Sequence, residues 1–181
     1  RELQYGPYSA ETSLSAQNNI AVFVPSLENP YYPHILTSIS KELHAKKLNM
    51  LLCCTDKNEK KETDLLNSID KLNVSGIIFT YTPLSKKLAV DVAKRKKTTI
   101  IGEVDYNINA SIVTLNSKRA GELVAEHLYS LGHRKIAYLS TPMNILSLSR
   151  KRRFEGICEF FESHGVKDNL IICAPENSVK S

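Results

Sequence analysis

An α/β fold, doubly wound on a mainly parallel sheet, is predicted by three features of this sequence. From residue 20 onward, short β-branched runs alternate with amphipathic stretches. The first run, Ile20–Val24, is apolar without interruption, the pattern of a strand covered on both faces. Glycines follow two of the later helical stretches, at Gly132 and Gly165, where helices commonly stop.

The elements follow in order. After the strand at Ile20–Val24, residues 33–48 carry Ile35, Ile39 and Leu43 on one helical stripe. Asn49–Cys54 is the second strand, and a helix over 59–72 places Leu65, Leu66, Ile69 and Leu72 on one face. Gly76–Thr80 is the third strand, and a helix over 84–97 turns Leu88 and Val92 inward. Thr98–Ile101 and Ser111–Leu115 are strands four and five. The fourth helix starts at Asn116 or Ser117, either of which can cap it. It runs through Leu123, Val124, Leu128 and Leu131 to Gly132. Lys135–Ser140 is the sixth strand, the helix over 148–164 buries Phe154, Ile157, Cys158 and Phe161, and Leu170–Cys173 is the last strand. In such sheets ligands bind outside the carboxyl ends of the strands, here the loops 25–33, 80–84, 102–107 and 140–149.

Composition narrows the function classes. Hydrophobic residues at 42% and charged residues at 24% fit a globular protein, and the length suits one large domain or one domain plus part of another. No apolar run approaches the roughly 20 residues of a bilayer span, so no membrane partner is expected. The opening Arg1-Glu2-Leu3-Gln4-Tyr5 lacks an apolar signal core and reads as a chain cut within something longer. The net charge of +5 permits an acidic partner such as DNA without requiring one. Short basic runs such as Lys46-Lys47, Lys60-Lys61, Lys86-Lys87, Lys94 to Lys97 and Arg150 to Arg153 are the usual dress of solvated helix faces. Cys53, Cys54, Cys158 and Cys173 form no CxxC and no Cys/His cluster, so they are expected to be buried free thiols, suited to a reducing cytoplasm. His34 and His44 share no metal-site repeat, His127 and His133 look structural, and no GxSxG, P-loop or GxGxxG occurs. Neither a metal, a cofactor nor an enzyme activity is predicted.

Three stretches then act together. Tyr5-Gly6-Pro7 is followed by Ala10 and Leu14; NIAVFVPSLENPYY occupies 19–32; and GELVAEHLYSLGHRKIAYLS at 121–140 is followed by RRFEGICEF at 152–160. In this order they resemble the hinge, the first strand with its effector loop, and the crossover-helix region of the lactose/galactose-repressor family of bacterial transcription regulators. The resemblance spans the chain and implies a periplasmic-binding-protein-like fold. Residues 1–17 become the hinge to a DNA-reading head, 18–115 the N-terminal effector-binding subdomain, 116–133 a crossover helix, and 134–181 the start of an incomplete second α/β subdomain. A helix-turn-helix head is expected ahead of Arg1 and the remainder of the second subdomain after Ser181.

The family also implies partners. A small-molecule effector, a sugar or sugar phosphate, binds between subdomains, and a homodimer reads operator DNA in the full-length protein. The dimer contacts are expected around Leu36 to Leu43 and Leu84 to Val92. In the catabolite-control branch a phosphorylated carrier protein controls the regulator instead. The competing function is a sugar-binding protein that feeds a transporter.

The candidate effector residues are Asn29, Tyr31, Tyr32, Tyr81, Asn144, Ser147 and Arg153. An aromatic face stacks on the apolar side of a pyranose while a phenol hydrogen-bonds, and a guanidinium fork suits vicinal hydroxyls or carboxylates. The resemblance sets Tyr31 and Arg153 facing each other across the cleft. Two roles stay open for Tyr32, which can also pack at the start of the first helix. Arg153 can equally be a surface charge in a basic run, and Asn116 a cap or a ligand residue. Tyr5, Ala10 and Leu14 are the hinge candidates for DNA, with Leu14 as an apolar wedge in the minor groove. Glu11 stands where the family commonly has Ala, an unfavourable charge beside phosphates.

Base readout in this scheme belongs to the head, and the hinge folds only against DNA. The 181-residue chain alone is therefore expected to give no sequence-selective gel shift at physiological salt, and any weak retention should fade as salt rises. A selective shift that survives physiological salt would overturn this.

Overall fold

The computed structural model describes residues 19–140, 147–166 and, as backbone, 169–173. They fall into two compact units that divide between Thr99 and Ile100. The hinge candidates Tyr5, Ala10 and Leu14, with Glu11, and the loop candidate Asn144 lie outside the described residues.

The fold is α/β. β1 (Asn19–Val24) pairs in parallel with β2 (Asn49–Cys54) on one side and β3 (Val74–Phe79) on the other. With β4 (Lys97–Ile101) and β5 (Ser111–Val113) the strand order is β2-β1-β3-β4-β5. Ala21, Val22, Phe23 and Val24 are all fully buried, as the unbroken apolar run requires of a central strand. Val22 and Val24 pack with Leu36 and Leu43 of α1 (Tyr31–Ala45), while the Phe23 and Phe79 rings meet at 4.8 Å.

Helix boundaries and stripes differ from expectation in instructive ways. On α1 the deeply buried residues are Leu36 and Leu43, with Ile39 between them half-buried, whereas Ile35 is only half-buried. A stripe stepping by three and then four follows the 3.6-residue turn better than one stepping by four throughout. The helix expected over 59–72 breaks: α2 covers Glu59–Asn67, and a separate 3-10 turn covers Ile69–Leu72 before left-handed Asn73. Leu66 and Ile69 are buried, Leu65 and Leu72 partly so. α3 is shorter than drawn, Lys86–Arg95, and buries Ala89, Val92 and Ala93 rather than Leu88. β5 stops at Val113, and its three residues are exposed. The thiols are also less uniform than expected: Cys53 is buried, but Cys54 and Cys158 are half-buried.

In the second unit, α4 (Ser117–Ser130) and α5 (Leu148–Ser163) pack on each other beside a parallel pair, β6 (Ile136–Ser140) and β7 (Asn169–Cys173). Asn116 is the N-cap of α4, its side chain accepting from the Arg119 amide at 2.9 Å. Both helices stop where Gly132 and Gly165 were expected to end them, in a two-bond glycine cap with φ of 87° and 76°. The His133 amide reaches the Leu128 carbonyl at 3.1 Å, and the Val166 amide reaches that of Phe161 at 2.9 Å.

What α4 buries was not anticipated. Leu123, Val124 and Leu131 are exposed, whereas Ser117, Gly121 and Ala125 are buried. The reason is the crossing. A Cβ added at Gly121 would land on the backbone carbonyl of Arg153, and one added at Gly156 on the carbonyl of Lys118. Each helix lays backbone against backbone at the other's glycine, which leaves no room for leucine. Phe154 and Cys158 are correspondingly only half-buried on α5, with Ile157 and Phe161 in the core beside Ala125.

Gly121→Ala is therefore expected to destabilise the protein by about 1–3 kcal/mol or more. Gly132→Asn, which adds a side chain in open space at a left-handed position Asn tolerates, should cost less than about 1 kcal/mol. Urea unfolding of the two variants tests the contrast; equal losses would contradict it.

Candidate functional site

The strand order reverses beside β1, with β2 on one side and β3 on the other, so the loops after these strands border the crevice where doubly wound sheets bind ligands. The loop after β1 is built by its own polar side chains. Ser26 Oγ accepts from the Glu28 amide at 3.1 Å, and Asn29 Oδ1 accepts from the Tyr31 amide at 3.0 Å, a turn that Asn forms locally. The Asn29 carbonyl takes the Tyr32 amide at 3.1 Å and opens α1. Tyr31 is thereby left 55% exposed, and its ring meets that of Tyr32 edge-on at 5.1 Å. Tyr32 is half-buried and packs against the core of Val22, Val24, Leu36 and Leu43. Its packing role is thus real.

The loops after β2 and β3 are tied into the same end of the sheet. The Thr55 amide donates to the Val24 carbonyl at 2.9 Å, and Thr80 Oγ1 donates to the Phe23 carbonyl at 2.9 Å. The Tyr81 hydroxyl lies 3.1 Å from Thr55 Oγ1 and donates to Glu62 Oε2 at 2.5 Å. Glu62 is fully buried and also accepts from the Ser85 amide at 2.7 Å and the Leu84 amide at 3.2 Å. Thr63 Oγ1 meets Ser85 Oγ at 2.7 Å. Burial, then the hydrogen bond to Glu62, pushes the Tyr81 phenol well above its ordinary range, and the nearby Tyr32 phenol adds to the same shift. Asn29, Tyr31, Tyr32 and Tyr81 are therefore brought together at the carboxyl ends of β1 and β3.

Backbone strain marks the loop after β2. Asp56 and Lys57 are consecutive non-glycine residues in the left-handed region, φ 52° and 55°. The turn is held by a 2.5 Å Lys61–Asp56 ion pair and a 3.1 Å hydrogen bond from Cys54 Sγ to Asp56. Lys61 keeps the Asp56 carboxyl below the usual range, while burial first, and Asp56 next, raise the Cys54 thiol, which suits a structural rather than a nucleophilic thiol.

The remaining candidates belong to the second unit. Ser147 is the N-cap of α5 but makes no side-chain capping bond. Arg153, in the second turn of α5, is exposed and makes no ion pair among the described residues. Its neighbour Arg152 is engaged, Nη1 lying 2.9 Å from Oε2 of buried Glu103 in an ion pair, while Glu103 Oε1 accepts from the Ser117 amide at 3.0 Å. Glu103 thus joins the loop after β4 to the starts of α4 and α5. Glu62, Thr55, Ser85 and Glu103 were missed in the sequence. For Glu62 a signal existed: it shares a stripe with Leu66 and Ile69, an acidic residue on an inward face. Among the described residues no cluster of metal-ligating side chains occurs, and no helix is long and apolar enough to cross a membrane.

A family model described as periplasmic binding proteins and sugar binding domain of LacI family matches residues 17–179. The transcriptional regulator DegA of Bacillus subtilis is 29% identical over 179 residues, covering 94% of this chain and 52% of its own length. A ribose operon repressor of Halalkalibacterium halodurans is 26% identical over 176 residues, covering 96% and 51%. The chain spans about half the length of the curated relatives it matches. Among solved structures, a LacI-family transcriptional regulator from Silicibacter pomeroyi superposes with a TM-score of 0.73 at 27% identity, covering 85% of this chain and 47% of that one. A LacI-family regulator from Enterococcus faecium with bound ribose gives a TM-score of 0.73 at 22% identity, covering 87% and 58%.

The Tyr81 shift has a pH consequence. Below the free phenol value of 10.0, folded and unfolded chains both keep the proton and the stabilisation is complete. Above it the unfolded chain ionises first, so stability falls as pH rises. Denaturant titrations between about pH 8 and 11 should show Tyr81→Phe with a shallower alkaline decline than wild type. An unchanged slope would place the phenol outside the buried network.

Proposed function

The chain belongs to the family that joins periplasmic binding proteins to the sugar-binding domains of LacI-type proteins, and we propose on that premise that it is the ligand-sensing core of a bacterial transcription regulator. The observation that carries the proposal is the cluster of Asn29, Tyr31, Tyr32 and Tyr81 at the strand-order reversal, an exposed aromatic face backed by a fixed polar network. Such a surface suits a small polar ring, a sugar or a sugar phosphate. The resemblance adds Asn144, Ser147 and Arg153 as further effector residues, and Arg153 is exposed and in no ion pair among the described residues. The regulator is preferred to a transport-linked binding protein because the relatives cited above are regulators.

The whole protein would couple this ligand to operator DNA through residues 1–17, with Tyr5, Ala10 and Leu14 at the duplex, ahead of a sensing subdomain at 18–115, a crossover helix at 116–133 and a second subdomain from 134. A ligand shifts that coupling only by its difference in affinity for two states. A homodimer matches a two-fold operator. Its contacts on α1, on α3 and in the loop before α3 would fall to exposed residues such as Lys41, Lys87 and Leu84, because Leu36, Leu43 and Val92 are already buried in the core.

In the intact protein, Arg153→Ala should remove charge-assisted hydrogen bonds of about 1.5–3 kcal/mol, a loss of about ten- to hundredfold in affinity for the effector sugar. Tyr31→Ala should also weaken binding, and Tyr31→Phe less so if stacking dominates. Isothermal titration with ribose and glucose as probes, beside an unfolding curve, checks both. Unchanged affinity in a folded Arg153→Ala protein would return that arginine to the solvated start of α5.

A further inference from the structure

Glu62 is an acidic side chain without any solvent exposure, and the two ends of its carboxyl are matched only by donors. Oε1 takes the Ser85 amide at 2.7 Å; Oε2 takes the Leu84 amide at 3.2 Å and the Tyr81 hydroxyl at 2.5 Å. Backbone amides can only donate, so the carboxyl serves as an acceptor, and the single phenol proton of Tyr81 points at it. A phenol that has given its proton inward has only lone pairs left. One of these takes the proton of the Thr55 hydroxyl, 3.1 Å away, while the Thr55 amide holds the Val24 carbonyl at 2.9 Å. Whatever meets the Tyr81 oxygen must therefore bring a donor of its own.

The electrostatics point the same way. A carboxylate sits directly behind the phenol, where its field is poorly screened. The cation nearest in sequence on the same helix, Lys61, pairs with Asp56 at 2.5 Å. A hydroxyl or amine is welcome at such a place; a phosphate brings no donor and carries like charge. Glu62 also holds the amides of Leu84 and Ser85, and so shapes the loop that carries Tyr81.

We propose that Glu62 is a positioning residue of the ligand site, fixing Tyr81 as an acceptor and so favouring a neutral, hydroxyl-bearing ligand over its phosphate ester. The inference rests on the ligand-sensing function proposed above and narrows its substrate class.

Two measurements on the intact protein test it. The first needs no ligand. In Glu62→Gln one carboxyl oxygen becomes an NH2 donor facing the Leu84 amide and the Tyr81 hydroxyl. Amide exchange at Leu84 and Ser85 should accelerate at least tenfold while β1 amides keep their protection. Unchanged exchange at both would overturn the positioning role, and if the variant fails to fold, Glu62→Asp, too short to reach all three donors, gives the same readout. The second is calorimetry with matched pairs, ribose against ribose 5-phosphate and glucose against glucose 6-phosphate. The neutral member of a binding pair should be preferred at least tenfold, and Tyr81→Phe should weaken the neutral sugar more than its ester. Tighter binding of the ester would overturn the inferred ligand class and leave the sensing function standing. No binding by either pair would count against the sugar-sensing function and the ligand class together, with the exchange data still deciding what Glu62 does.

Discussion

Everything in the first unit is arranged around a strand that nothing may leave exposed. β1 lies between two parallel neighbours with four consecutive residues, Ala21 to Val24, out of solvent, so both of its faces need cover. Parallel neighbours demand crossover connections, and these deliver α1 and α2 with polar loops gathered at the carboxyl ends. The position of Tyr31, Tyr32 and Tyr81 is a consequence of covering β1.

Polar groups are drawn into that end of the sheet and satisfied there. Thr55 and Thr80 bond to the carbonyls of Val24 and Phe23, where the ladder of β1 runs out, and Glu62 closes the loop after β3. A buried carboxylate is costly unless its acceptor capacity is met, and three donors meet it here. Such a network does more than stabilise. Because each member has a fixed partner, a slip of β3 against β1 would leave Glu62, Tyr81 and Thr80 unpaired together, which disfavours alternative registers.

The sequence was legible wherever periodicity and chain chemistry act locally. The unbroken run Ile20–Val24 is a central strand, Asn116 caps α4, and Gly132 and Gly165 end their helices with left-handed turns. The loop around Asn29 and Tyr31 was singled out by its resemblance to the family's effector loop, and the turn that Asn29 makes with the Tyr31 amide came only with the structure. What escaped was set by long-range packing. Leucines on α4 look like an inward stripe until the closeness of α5 turns Gly121 and Ala125 inward instead. Glu62, in a segment rich in lysine and glutamate, has the composition of a solvated face, and its place on the Leu66–Ile69 stripe gains meaning only with its Tyr81, Leu84 and Ser85 partners.

The glycine crossing of α4 and α5 has a mechanical meaning. Side chains between helices act as springs, because rotamers can change and absorb a small displacement. At Gly121 and Gly156 there are none to change; peptide rests on peptide. The two helices must then travel as one stiff lever, clamped further by the Lys118–Glu159 ion pair. A push delivered to the first turns of α5, where Ser147 and Arg153 sit, reaches the start of α4 undamped, and with it the Asn116 cap and the Glu103 carboxylate that grips both helices.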